Sequence, residues 1–254
     1  MSSQENKIPL TKRLKERAIE LAEYVDEMMK NDKSKKAVLL CEGKYESIDY
    51  MIYKEVYPEF IVIPSEGCTD IKNLMPFMKK YCEYRTFGLI DRDNNSKKKI
   101  RAMAKEKDIF CTKLPFVENI ICCPEVLKIL SKVKGIEYSD VIGKVRTTLS
   151  NLLAEKLSLL NPFNVDLPRD CRVELVSITI VTNTGVVYKN IDSVNIMYTF
   201  RDKAIVGAVS DALNFNSKDA YCKFLYNALN GPYREQILIA LARYLPVITF
   251  ETDV

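Results

Sequence analysis

The chain has 254 residues, 47% of them hydrophobic, which is enough for a substantial folded core. Its 38 basic and 34 acidic residues give a net charge of only +4, which excludes a protein that coats nucleic acid through its overall charge. The sequence contains no histidine, which excludes serine–histidine and cysteine–histidine nucleophile systems, histidine-ligated zinc and the HEXXH motif of metalloproteases. If the protein is an enzyme, carboxylates, lysines or tyrosines carry its chemistry.

The eight cysteines form no CxxC pair and show no regular spacing. We interpret them as reduced thiols and not as zinc ligands or disulfides. The N-terminus lacks an apolar signal-like segment, and no apolar run approaches the roughly 18 residues that a bilayer-spanning helix needs. The sequence therefore predicts a cytoplasmic protein without a membrane partner.

Apolar residues recur at intervals of three and four between positions 11 and 30, which predicts an amphipathic helix. Short apolar runs then alternate with segments of helical length, a pattern typical of βαβ units with a mainly parallel sheet flanked by helices. The runs that predict strands are Ala37 to Cys41, Phe60 to Pro64, Thr86 to Ile90 and Asp108 to Thr112. The segments that predict helices are 45–56, 69–84 and 97–107.

Beyond Glu118 the pattern becomes mostly helical, with one interruption. Apolar segments on both sides of Asn183-Thr184-Gly185 predict a β-hairpin over residues 172–189. Helices are predicted at 124–133, 139–160, 202–213, 217–230 and 232–244. The predicted organisation is an N-terminal helix (1–36), an α/β catalytic domain (37–125) and a helical C-terminal region (126–254) that makes dimer or partner contacts.

Carboxylates follow two of the predicted strands. Glu42 comes directly after the first strand, and Asp91 and Asp93 follow the third. Open α/β sheets bind ligands at the carboxyl ends of their strands, and strand residues two apart project to one side, so Asp91 and Asp93 can present oxygens to one point. Each motif alone also has an ordinary explanation, since a glutamate can simply leave a sheet and an Asp-Arg-Asp sequence can simply form a polar turn.

Three carboxylates that converge in a crevice repel one another unless a cation holds them. Hard oxygen ligands and a phosphate partner suit Mg²⁺ or Mn²⁺, and two such ions about 4 Å apart stabilise both the attacking and the leaving oxygen of a phosphodiester. Glu118, beyond the fourth strand, either reaches a second metal or is the N-terminal carboxylate of the following helix, where the helix dipole favours it. The predicted metal ligands are Glu42, Asp91, Asp93 and Glu118.

Cationic side chains accompany both acidic motifs. A basic run comes soon after Asp93, and it either contacts the phosphate backbone of a nucleic acid or forms a solvated helix face. Lys44 lies beside Glu42 and either orients the scissile phosphate or balances charge. The residues of the basic run that we predict to bind nucleic acid are Lys97, Lys98, Lys99 and Arg101.

Fourteen tyrosines raise the question of a covalent catalytic tyrosine, and no sequence context singles one out. Four of them have helical spacings near Glu42, and we interpret them as packing on the sheet or in the core. These four are Tyr45, Tyr50, Tyr53 and Tyr57.

The order of the acidic motifs resembles the Toprim domain. The resemblance depends on CEGKYES at 41–47, GLIDRDNN at 88–95 and LPFVENI at 114–120, and it covers roughly the third of the chain from 37 to 125. The motifs are similar to the branch found in overcoming-lysogenization-defect nucleases and in stand-alone Toprim effectors of anti-phage systems such as PARIS. This resemblance implies a Mg²⁺-dependent endonuclease in which Glu42 is the acid/base carboxylate, Asp91 and Asp93 bind metal, and Glu118 assists.

The resemblance also implies partners. Effectors of this kind are held by a partner ATPase, are released when phage is sensed, often act as homodimers, and attack nucleic acid, with transfer RNA a suspected target and DNA an alternative. The chain departs from the family between Thr199 and Lys203, where relatives tend to carry a Gly-Lys pair, so the role of Lys203 stays open. Two other functions remain as alternatives: a non-catalytic Toprim scaffold or binding module, and a primase-like or topoisomerase-like subunit.

Overall fold

The structure, a computed structural model, describes residues 9–93, 95–155, 180–181, 187–188, 197–198, 200 and 203–249. The chain forms two compact units. The first takes the described chain as far as Ile90 and returns for Arg101–Phe110. The second holds Asp91–Ile100 and the described chain from Cys111 onward.

The first unit is an α/β structure built on a four-stranded parallel sheet flanked by helices, as predicted. Each predicted strand is found, with bounds within one residue of the prediction. The strands are β1 (Ala37–Glu42), β2 (Phe60–Ser65), β3 (Thr86–Ile90) and β4 (Ile109–Cys111). The helices are α1 (Leu10–Asn31), α2 (Ile48–Val56), α3 (Cys68–Tyr81) and α4 (Lys97–Lys107), of which α4 begins in the second unit.

The strands lie in the order β2-β1-β3-β4. β1 pairs in parallel with β2, up to Glu42 opposite Ser65, and with β3, up to Cys41 opposite Leu89. Because the chain passes from β1 to one side and then returns to the other side of β1, the strand order reverses there. Open α/β sheets bind ligands at the carboxyl ends of the strands beside such a reversal, and Glu42 is the residue with which β1 ends.

Helix α1 packs against α3, which in turn packs on the sheet. The buried side chains of α1 are Ala18, Val25 and Met29, which follow the predicted three- and four-residue spacing. Outside this stripe, Arg17 of α1 donates from Nη1 to Oδ2 of Asp70, in the first turn of α3, over 2.6 Å. The predicted amphipathic helix is therefore confirmed, and its polar side also ties it to α3.

Side chains of α3 and β4 approach the backbone of β3 closely at Gly88. A Cβ atom at this position would lie 2.9 Å from Cγ2 of Ile71 in α3 and 3.1 Å from Cγ1 of Ile109 in β4. Both contacts are shorter than a packed core accepts without movement. Glycine therefore allows α3 and β4 to close on the middle of the sheet.

The second unit is mostly helical, as predicted for the C-terminal region. The described part of the predicted hairpin pairs Ile180 with Tyr188 and Val181 with Val187 in antiparallel fashion; the remainder of that hairpin and residues 156–160 of a predicted helix lie outside the described residues. No helix in the described ranges is both long and apolar enough to cross a membrane. The described elements of the second unit are α5 (Val117–Ile121), α6 (Pro124–Lys134), α7 (Tyr138–Glu155), β5 (Ile180–Val181), β6 (Val187–Tyr188), α8 (Ala204–Ala212), α9 (Lys218–Leu229) and α10 (Arg234–Ala242).

Candidate active site

Glu42 ends β1 at the reversal of the strand order and is half-buried. Gly43 follows with φ +107°, a left-handed conformation that favours glycine. A Cβ at Gly43 would lie 2.6 Å from Oγ of Ser47, and this hydroxyl accepts hydrogen bonds from the backbone N–H of Lys44 (3.3 Å) and of Tyr50 (3.4 Å). The turn is therefore tight, and Ser47 caps α2 immediately behind Glu42 and Lys44.

Asp91 and Asp93 lie beyond the end of β3, in a turn. Asp93 has φ +46°, and its backbone N–H donates to the carbonyl oxygen of Pro115 over 3.1 Å. Between the two aspartates, Arg92 is only 2% exposed, and its backbone N–H donates to Oγ1 of Thr112 over 3.0 Å. The alternation of strand side chains, from which a common direction for Asp91 and Asp93 was predicted, does not operate here because neither residue is in the strand.

Asp91 is bonded to the beginning of α5. Its Oδ1 accepts a hydrogen bond from the backbone N–H of Val117, the first residue of that helix, over 3.2 Å. Glu118 is the next residue, in the first turn. Glu118 therefore occupies the position that the helix-terminal alternative predicts. Asp91 is a second carboxylate at the same end of the helix.

Glu118 is largely buried and carries an ion pair on one oxygen only. Its side chain is 13% exposed, and Oε1 lies 2.8 Å from Nζ of Lys203, whose side chain is 72% exposed. Within the described residues, Oε2 is buried and has no hydrogen-bond partner. A buried carboxylate oxygen without a donor is costly, so this position has the capacity for a further cation or hydrogen-bond donor.

Asn119 binds two carbonyl groups that precede Lys203 in the chain. The residue is fully buried, and its Nδ2 donates to the carbonyl oxygens of Met197 (3.0 Å) and Phe200 (2.9 Å). Glu118 binds the side chain of Lys203, and Asn119 binds the backbone carbonyl groups of Met197 and Phe200 shortly before it. The sequence contained both residues in one motif, but it offered no signal for the partners of Asn119 because they lie 78 and 81 positions away.

The predicted nucleic-acid-binding residues are exposed at the start of α4. No acidic residue lies in the first turn of this helix, which begins with Lys97, Lys98 and Lys99, and Arg101 follows. The positive end of the helix dipole lies at this end and disfavours cations, by about 0.3–1 kcal/mol each at exposed positions. A bound polyanion would remove this unfavourable effect.

The four predicted metal ligands are divided between the units, with Glu42 in the first and Asp91, Asp93 and Glu118 in the second. Among the described residues, no group of three or more acidic or cysteine side chains is arranged to hold a metal ion. In donor chemistry the second unit fits Mg²⁺, since Asp91 and Glu118 supply hard oxygens and one buried oxygen of Glu118 has no partner. The metal itself stays a prediction.

No protein-family model matches the chain, and neither does any curated protein or solved structure. The resemblance to Toprim domains therefore depends on the three motifs alone. In the structure, each motif places a carboxylate after a strand of the parallel sheet: Glu42 ends β1, Asp91 follows β3, and Glu118 follows β4.

Proposed function

We propose that the protein is an endonuclease that depends on Mg²⁺ or Mn²⁺ and hydrolyses phosphodiester bonds of nucleic acid. The observation that carries the proposal is the acidic end of α5, where Asp91 is bonded to the helix and Glu118 has a buried oxygen without a partner. Glu42 adds a carboxylate at the end of β1, where the strand order reverses and where α/β proteins bind their ligands.

Each side chain has a task in this proposal. Asp91, Asp93 and Glu118 would hold the metal ion, although the described side chains form no ready-made group of three ligands, and the ion would supply positive charge against the phosphate. Glu42 accepts a proton from the water whose oxygen bonds to phosphorus, and the leaving oxygen, released as its own bond to phosphorus breaks, takes a proton from solvent water. Lys44, two residues after Glu42 in the same turn, orients the phosphate that is cut.

The basic start of α4 supports nucleic acid as the substrate. Its cations oppose the helix dipole, and phosphate groups would be attracted by both the lysines and the helix end. These contacts do not depend on base identity. In the proposal they hold the strand, and the carboxylates cut it.

We also propose a biological setting on the strength of the motif resemblance. The nuclease is the toxic effector of an anti-phage defence system of the PARIS type, held and released by a partner ATPase. Its substrate is RNA, such as transfer RNA, or DNA, and it is a homodimer when active.

The proposal is tested by incubating RNA and DNA pools with the protein, with Mg²⁺ and with EDTA. We expect cutting only with Mg²⁺, and a loss of about 100- to 10,000-fold for Glu42→Ala, the range typical of a general acid/base. Glu66→Ala is the matched control, because it removes an exposed carboxylate just beyond β2 in the same unit. Unchanged cutting by Glu42→Ala, or equal loss in Glu66→Ala, would contradict the proposed chemistry.

The ion pair between Glu118 and Lys203 favours a second candidate, a non-catalytic scaffold that binds nucleic acid or the ATPase. The Nζ atom lies 2.8 Å from Oε1 and already neutralises part of this carboxylate's charge, so the pair can serve structure alone. Titration calorimetry with Mn²⁺ separates the two functions. Binding that is lost in Asp91→Asn supports the nuclease, and no binding by the wild type supports the scaffold.

A further inference from the structure

Tyr45 of the turn after β1 and Tyr50 in the first turn of α2 are in ring contact, and Tyr24 of α1 lies within electrostatic range of both. We call these three residues the tyrosine cluster. The rings of Tyr45 and Tyr50 meet edge to face, with centroids 5.4 Å apart and planes at 70°. Burial, and after it the neighbouring phenol of Tyr24, raises the pKa of both Tyr45 and Tyr50.

The tyrosine cluster is open to solvent. Tyr45 is 57% exposed and Tyr24 is 41% exposed. Within the described residues only six large apolar side chains are at least 40% exposed, and Tyr24 and Tyr45 are two of them. Tyr53 and Tyr57 are buried as predicted, at 2% and 8% exposure. The same prediction was wrong for Tyr45, which its place in the turn before α2 leaves open to solvent.

Two cations adjoin the tyrosine cluster. Lys44 precedes Tyr45 in the turn and is exposed. Arg17 acts on Tyr45 as well, because its charge lowers the pKa of this phenol against the larger effect of burial. Arg17 also pairs with Asp70 over 2.6 Å, which neutralises part of its charge, so Lys44 is the stronger attraction for an anion at this surface.

We propose that the tyrosine cluster is a stacking site for an unpaired base of the nucleic acid whose phosphodiester reaches Glu42, an inference that rests on the proposed function. Tyr45, with the most open ring, takes the base, and Lys44 contacts the phosphate of the same strand. Aromatic rings stack on any base, because every base has a π face. The substrate class is therefore a single strand or an unpaired loop, since a base within a duplex has both faces covered by its neighbours.

A protein partner is the other occupant that an aromatic surface can receive. The centres of protein interfaces are depleted of charged residues. Here Tyr45 directly follows Lys44, lies within electrostatic range of Arg17, and comes three residues after Glu42. This combination of rings and cations fits a nucleotide better than an apolar protein surface.

The experiment measures binding of a fluorescently labelled uridine strand of about 12 nucleotides to the full chain, by anisotropy in EDTA so that no cutting intervenes. Tyr45→Ala is expected to weaken binding roughly 5- to 100-fold, the loss of one stacked base. Tyr45→Phe keeps the ring and is expected to bind within about twofold of the wild type. Tyr226→Ala is the matched control, because Tyr226 of α9 is 40% exposed and lies in the other unit.

Several outcomes would overturn the inference: no binding of the strand by the wild type, equal binding by Tyr45→Ala and the wild type, or an equal loss in Tyr226→Ala. A duplex of the same length should be insensitive to Tyr45→Ala, and an equal loss on the duplex would also overturn stacking. Failure of the nuclease is a separate result. If Tyr45→Ala loses binding and no variant or wild type cuts, stacking is supported and the proposed function is contradicted.

The absence of tryptophan provides a second measurement. Tyr45→Trp places a single indole at the tyrosine cluster, and its emission should be quenched when the strand is added. Tyr226→Trp should not respond. Quenching in neither variant, or equally in both, would overturn the inference.

Discussion

At the scale of single residues, the site depends on two neighbours with different tasks. Glu118 faces Lys203 with one oxygen and leaves the other buried, whereas Asn119 makes no ion pair and instead donates to two carbonyl groups. The segment that bears Lys203 is thus positioned by a neutral side chain. A charged group in its place would meet two carbonyl oxygens in a fully buried environment.

Asn119→Asp is therefore expected to lower the free energy of unfolding by about 3–5 kcal/mol at neutral pH, because the carboxylate is buried without a donor. Burial and the carbonyl oxygens raise the pKa of this new carboxyl above its unfolded value, so its cost is absent below the unfolded pKa and develops as pH rises. Urea denaturation at neutral pH and at about pH 4 checks both expectations. Asn73→Asp, on the exposed side of α3, is the control and should change stability by less than about 0.5 kcal/mol.

At the scale of elements, β3 and α5 position the carboxylates, and the sequence predicted them unequally. β3 has five buried apolar or small residues between polar flanks, so its bounds were predicted to the residue. α5 has only five residues and follows Pro115, which is too short for a helical period to show. Its bond to Asp91, and the left-handed turn at Asp93, arise from contacts between distant parts of the chain and leave no local pattern.

The close packing at Gly88 gives a prediction for β3. Gly88→Ala should lower the free energy of unfolding by about 1–3 kcal/mol, because the added methyl must displace Ile71 or Ile109. Gly143→Ala should instead raise it by about 0.5–1 kcal/mol, because this glycine lies in α7 with no atom within 4 Å of the added Cβ. Chemical denaturation of both variants checks the pair, and a change of the same sign in both would contradict the packing.

At the scale of the whole molecule, the parallel sheet and the helical second unit were predictable because hydrophobic periodicity reports burial, and burial sets both. The contacts of Glu118 and Asn119 were not predictable, since each joins segments distant in sequence, and the same holds for the position of Tyr24 within electrostatic range of Tyr45 and Tyr50. The cysteines of the described chain are free thiols in the structure, and their redox state stays a prediction. Several of these are buried deeply enough to affect the pH dependence of folding.

Stability is expected to fall in alkaline solution. Burial raises the pKa of the Cys122 and Cys123 thiols and of the Tyr221 phenol well above their ordinary values, and it raises that of Tyr138 to about 12. These groups are neutral in both states below the ordinary thiol value of 9.0, so their contribution is complete there. Above it the unfolded chain ionises first, and the free energy of unfolding should fall by about 1.4 kcal/mol per pH unit for each such group.

Urea denaturation from pH 8 to pH 11 measures this decline. The variant with Cys122→Ala and Cys123→Ala lacks two of the groups and should show a shallower slope, whatever its absolute stability. A free energy of unfolding that stays constant over this range in the wild type would show that these groups ionise alike in the folded and unfolded chain.

The path of the chain through the two units limits how the protein can be divided. Because the first unit is completed by Arg101–Phe110, after the chain has already entered the second, a fragment that stops at Ile90 would lack β4 and expose the hydrogen-bonding edge of β3, a surface prone to aggregation. A fragment that stops after α5 would leave Asn119 without the carbonyl groups of Met197 and Phe200. Neither fragment is therefore expected to fold on its own, because each lacks contacts that a later part of the chain supplies.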